Sequence, residues 1–256
     1  MRSFKKNIFS FLAVLFTLIV NVQSVSAIET AYQLGRFHHE ETLKPDNSIT
    51  INNPYGDIRI RQSASKTMTI HAVFQIIDNS FSKPEMKINR KEHNLSFNFI
   101  YPKNKAPERL VDGRIDLVAF MPSETPLNIN IERGKLHSKS ITNPLTVFSD
   151  SSDIDLVTSG TTHIYSRTGI INLKLIKKTP TNTAIKTSTG DINITYQMDS
   201  NIQFNIKTST SITSNNVELL NSKTKKDDHY ILSQGTTEHI LKIISDTGHV
   251  RLINQN

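Results

Sequence analysis

Asp150, Asp153 and Asp155 are the residues whose types and spacing come nearest to chemistry in this chain. Period-two alternation along a strand puts Asp153 and Asp155 on one outer face. Paired carboxylates on one face are what acid–base hydrolysis of a glycosidic bond requires, and a carboxylate cluster beside a basic residue is what a calcium-assisted lyase requires. Asn172 and Asn193 would stack beside them on the following strands, with Arg167 near by. Against this stands a plainer reading, in which outward acids on a strand are solvent-facing and inert. Asp57, Arg59 and Arg61 alternate in the same way and read as exposed cross-strand ion pairs.

The nine histidines concentrate in His38-His39-Glu40-Glu41 and in Asp227-Asp228-His229. Neighbouring residues on a strand face opposite ways, and neither group has the i, i+4 spacing of a helical zinc motif. No metal or cofactor is expected. There is no GxSxG, P-loop or GxGxxG, and Ser149 to Ser152 has no histidine in register to activate a nucleophile. The absence of cysteine removes disulfides, thiolate metal sites and thiol catalysis.

The N-terminus predicts export. Arg2, Lys5 and Lys6 precede the apolar run Ile8 to Val20, and Val25-Ser26-Ala27 supplies small residues for cleavage, so residues 1–27 read as a signal peptide. The run is shorter than a bilayer span, and no transmembrane span is expected after cleavage. Losing three basic residues lowers the formal charge of +7 to +4. That excess suits association with anionic envelope polymers; without basic runs interleaved with aromatics it does not point to nucleic acid.

The elements that must position these residues are strands. Thr50 to Asn52, Asp57 to Gln62, Thr67 to Phe74, Asn94 to Ile100, Arg114 to Phe120 and Leu127 to Ile131 alternate apolar with polar residues, and no 3.6-residue period is sustained. One helical turn is allowed at Asn215 to Asn221. Six glycines, Gly56, Gly113, Gly134, Gly169, Gly190 and Gly248, each stand two residues before an aliphatic, forming a turn-then-strand unit. The unit starts at 134, 152, 169, 190, 211 and 248, with Ser152 and Ser211 in place of glycine, giving steps of 18, 17, 21, 21 and 37. A step near 20 in an all-β chain predicts a β-solenoid, with a β-sandwich of evenly spaced hairpins as the alternative.

The run Val111 to Pro122, the strand Leu127 to Ile131 and the repeated Gly-Asp-Ile units at Tyr55-Gly56-Asp57-Ile58 and Thr187-Ser188-Thr189-Gly190-Asp191-Ile192 resemble the DUF4097 family of proposed adhesins, over roughly 48–253. Met121-Pro122, Ser152, Ser211 and the polar stretch Asn221 to His229 depart from its pattern. The resemblance implies a right-handed β-helical fold and an envelope or surface role. The expected architecture is an all-β, right-handed β-solenoid (β-helix) over 110–256 with an irregular β-rich N-terminal cap over 28–109. The expected function is non-enzymatic: an exported adhesin, periplasmic or at the cell surface, presenting a repetitive polar face to envelope or surface polysaccharide. The alternatives are a polysaccharide lyase or hydrolase built on Asp153 and Asp155, and a structural or stress-related periplasmic component that binds another envelope protein.

Overall fold

The computed structural model describes residues 32–76, 84–101, 113–176, 182–197, 202–234 and 239–255. The expected signal peptide and the expected boundary near 109–110 lie outside them. Among the described residues the regular elements are strands, apart from the five-residue helix α1 (Val217–Asn221).

In chain order, β1 (Tyr32–Thr42) is followed by β2 (Ser48–Asn52) and β3 (Ile58–Ser63), then β4 (Thr67–Ile76) and β5 (Glu85–Lys91). Next come β6 (Asn94–Ile100), β7 (Gly113–Pro122), β8 (Leu127–Ile131), β9 (Lys135–Ser138), β10 (Leu145–Ser151) and β11 (Asp153–Thr158). They are followed by β12 (Thr162–Thr168), β13 (Ile171–Leu175), β14 (Thr183–Thr187), β15 (Ile192–Gln197), β16 (Ile202–Thr208) and β17 (Ile212–Ser214). After α1 the chain ends with β18 (Thr224–Lys226), β19 (His229–Gln234), β20 (His239–Ser245) and β21 (Val250–Gln255).

Two large sheets result, neither closed on itself. Each layer gives one strand to each sheet, and the layers stack in parallel register in the order β6/β7, β2/β3, β8/β9, β10/β11, β12/β13, β14/β15, β20/β21, β16/β17. Antiparallel strands finish the ends: β4 and β1 beside β7, β5 beside β6, and β19 and β18 beside β16. Charged residues such as Lys87, Arg90 and Lys91 on the edge strand β5 discourage pairing with another chain.

Spatial order departs from chain order at both ends. Residues 48–63, expected in the cap, form a full layer between β6/β7 and β8/β9, because the long excursion through β4 to β7 hides their step from the sequence. At the other end, the spatial neighbour of the corner at Gly190 is Gly248, not Ser211: β20/β21 is inserted between β14/β15 and β16/β17. The step of 37 therefore passes through α1, β18 and β19 and leads back to a layer inserted between two earlier ones.

Inward positions form apolar ladders. Ile58, Leu136, Ile154, Ile171, Ile192 and Val250 run through one sheet and Ile51, Ile129, Val147, Ile164, Ile185, Ile243 and Ile206 through the other, all buried. At roughly 1.5–3 kcal/mol for each fully buried aliphatic, these ladders are the main stabilising term. Ile115 leaves the expected pattern, since Ile58 pairs with Leu117. Gly113 does likewise: it opens β7 opposite Ile76, and the Ile115 carbonyl is the group that faces Gly56.

Glycine at the corners is dictated by close approach. A Cβ on Gly190 would lie 1.8 Å from the Gly169 carbonyl oxygen, and one on Gly248 would lie 1.9 Å from that of Gly190.

Candidate functional site

Two elements recur at the corners, a Ser or Thr three residues before the glycine and an Asp directly after the corner residue, and Thr187-Ser188-Thr189-Gly190-Asp191 carries both. Thr187 Oγ1 accepts the Gly190 N–H at 3.1 Å, and Ser245 Oγ accepts the Gly248 N–H at 3.0 Å. The aspartate after the corner accepts a backbone N–H from the next layer: Asp57 from Lys135 at 3.0 Å, Asp153 from Ile170 at 3.1 Å, Asp191 from His249 at 2.9 Å. A corner N–H lies beyond the strand ladder and needs such a partner.

This gives Asp153 a structural task. Asp155 does share its face, in register with Asn172 and Asn193, whose amides are joined at 2.9 Å. Its carboxylate is 3.1 Å from His137 Nδ1 and is exposed. Asp153 and Asp155 line a mixed-charge groove with Arg59, Arg61, Lys135 and His137. Asp150 and Arg167 are not part of it. They belong to β10 and β12 in the other sheet, where the two side chains form an ion pair through Nε–Oδ1 and, at 2.9 Å, Nη2–Oδ2. The Arg167 guanidinium holds the Asp150 carboxyl below the usual carboxylate range.

That pair borders the more distinctive surface. In the sheet containing β10, outward residues align across strands as Asn98, Asn52, Asn130, Phe148, Tyr165, Lys186, Ile244 and Lys207. Asn52 Nδ2 donates to Asn98 Oδ1 at 2.6 Å, and Asn130 Nδ2 donates to Asn52 Oδ1. Beyond these amides the rings of Phe148 and Tyr165 stack with centroids 5.1 Å apart and planes 12° apart. They remain 49% and 39% exposed, which is unusual for large aromatic side chains and leaves apolar surface free to meet a ligand. Together with Glu132, Asp150, Arg167 and Lys186 they line an open groove of about 680 Å³.

No single residue of this row stood out in the sequence, yet a signal was there. Asn52, Asn130, Phe148, Tyr165, Lys186 and Ile244 each stand four residues before the corners at 56, 134, 152, 169, 190 and 248. Aligning the units on their corners collects the row.

The histidines separate by face as alternation requires. His38 Nδ1 lies 3.0 Å from His71 Nδ1 on the neighbouring strand, whereas His39 packs on Phe97 and lies 3.2 Å from Glu41. His229 hydrogen-bonds Asn205. Among the described residues no three His, Asp or Glu side chains converge as a metal site, and no helix is long and apolar enough to cross a membrane.

No family model and no curated protein matches the chain. Among solved structures it is similar to a proposed cell adhesion protein from Clostridium sporogenes, with 13% identity, a TM-score of 0.51, and coverage of 86% of this chain and 100% of that one. Two proposed adhesins, from Bacteroides fragilis and Parabacteroides merdae, match over 87% and 86% of this chain and 98% and 96% of theirs, each with 10% identity and a TM-score of 0.27. The likeness to the Clostridium protein is one of fold.

Proposed function

We propose that this chain is an exported, non-enzymatic adhesin of the DUF4097 type, which holds an envelope or surface glycan against the amide and aromatic row of one sheet. Its stack is a right-handed β-solenoid, since crossovers between parallel strands of one sheet are right-handed in about 98% of cases. The observation that carries the reading is the exposed Phe148–Tyr165 stack continued by the Asn98, Asn52 and Asn130 amides. Aromatic faces bind the C–H faces of sugars, amides bind their hydroxyls, and repetition along a rigid surface turns weak contacts into avidity.

What supports the non-enzymatic reading is the corner task of Asp153, whose carboxylate accepts the Ile170 N–H. The test is retention of purified protein on immobilised cell-surface glycans. Wild type should be retained, and Phe148→Ala with Tyr165→Ala should weaken retention at least tenfold without changing the far-ultraviolet spectrum. Turnover of a polysaccharide that disappears in Asp153→Ala would overturn the non-enzymatic reading. Capture of one stoichiometric envelope protein with no glycan retained would replace the glycan by that partner. Protease digestion on intact cells, compared with cells whose outer barrier is opened, would separate surface from periplasm.

A further inference from the structure

We infer that the glycan is an extended acidic polysaccharide lying across the strands, with its sugars on Phe148 and Tyr165 and its negative groups on Lys186, Lys207 and Lys242; this rests on the glycan-binding reading above. The aromatic groove does not end at Tyr165. Lys186, the next residue of the row, lines it, and one strand further the row enters a second groove lined by Lys207, Lys226, Lys242 and His229. Lys186, Lys207, Lys226 and Lys242 are exposed, and none forms a salt bridge among the described residues.

The acids that line the two grooves are Glu132 and Asp150 in the first and Asp227 and Asp228 in the second. Asp150 is neutralised by Arg167, and Asp227 and Asp228 belong to the turn between β18 and β19, at the sheet edge beyond Lys207. Between Tyr165 and Lys207 the face is therefore positive and unpaired. It is the half of the row that a neutral sugar would have no use for.

Spacing selects the polymer. Neighbouring strands lie about 4.8 Å apart, so each strand passes under roughly one sugar of an extended chain running along the stack. Lys186 and Lys207 are two strands apart, about 10 Å, with Lys242 on the strand between them and displaced two residues along it. One positive group per one or two sugars suits a uronate-type polymer. Duplex DNA, with a charge about every 1.7 Å, would call for a denser basic track.

The experiment measures binding of the mature chain to polygalacturonate, to an uncharged β-linked glucan and to single-stranded DNA, at low and high salt. The expected result is preference for polygalacturonate, an affinity for it that falls at least tenfold between 50 and 500 mM NaCl, and a similar loss in Lys186→Gln/Lys207→Gln/Lys242→Gln. Residual binding of the neutral glucan should be unchanged by those lysine substitutions and lost in the Phe148→Ala/Tyr165→Ala variant. Polygalacturonate binding that survives the triple substitution, or DNA bound as tightly as polygalacturonate, overturns the inference while leaving glycan binding intact. Failure of wild type to hold any polymer overturns both.

Discussion

Tyr101 shows how much one side chain can join in this fold. Its hydroxyl lies 2.7 Å from Asn53 Oδ1, also donates towards the Tyr55 carbonyl, and accepts the Ile115 N–H at 3.0 Å, while Asn53 Nδ2 holds the Ile115 carbonyl at 2.8 Å. The phenol thus ties β7 to the corner before β3. Tyr101→Phe leaves the buried Asn53 amide oxygen without its hydroxyl partner, while the Ile115 N–H keeps the Tyr55 carbonyl at 3.2 Å, and should cost about 1–3 kcal/mol in a urea melt. Burial is the main reason that the Tyr101 pKa is raised above its ordinary 10.0, and the folded chain therefore favours the neutral phenol. Its contribution is complete below pH 10 and is lost as pH rises beyond that, because the unfolded phenol ionises first. Stability measured from pH 8 to 11 should fall less steeply in the phenylalanine variant than in wild type.

The element that repeats is the corner, and its requirements are backbone requirements. Gly190→Ala drives a methyl group into the Gly169 carbonyl and also displaces the N–H that Thr187 holds. The loss should be at least about 2 kcal/mol, read as a lower melting temperature. Ser152, which stands in a glycine place, keeps its hydroxyl buried with no partner among the described residues. Ser152→Ala should consequently hold or raise the melting temperature, since it removes an unpaired polar group. Corners, inward aliphatics and most strands were legible from residue types, because glycine and period-two alternation report local constraints. The binding row was legible only relative to the corners, since Asn, Phe, Tyr and Lys share no property except their place in the unit. The separation of Asp150 from Asp153 was hidden for the opposite reason: three residues apart in the chain, they lie on either side of a corner and belong to different sheets.

At the scale of the whole molecule, layer order is what the sequence conceals most completely. Step lengths measure distance along the chain, and the step of 37 that leads to the inserted layer does not say on which side of β16/β17 that layer lies. A linear stack would tolerate loss of its last coil, because only an end would be removed. Here, deleting residues 235–256 takes out β20 and β21, the strands that among the described residues pair β16/β17 to β14/β15. The truncated chain should lose far more stability than one layer accounts for and should unfold in urea with a broadened or biphasic transition, measured against full-length protein. The same insertion bears on how the molecule comes to be made. Synthesis produces β16 and β17 before the layer that must lie beneath them, at a time when β14 and β15 offer a free parallel edge of matching period. A growing chain can dock there in the wrong place, and completing the fold then means undoing that contact after residue 255 has emerged. Correct seating of β16 and β17 thereby waits until β20 and β21 have been made.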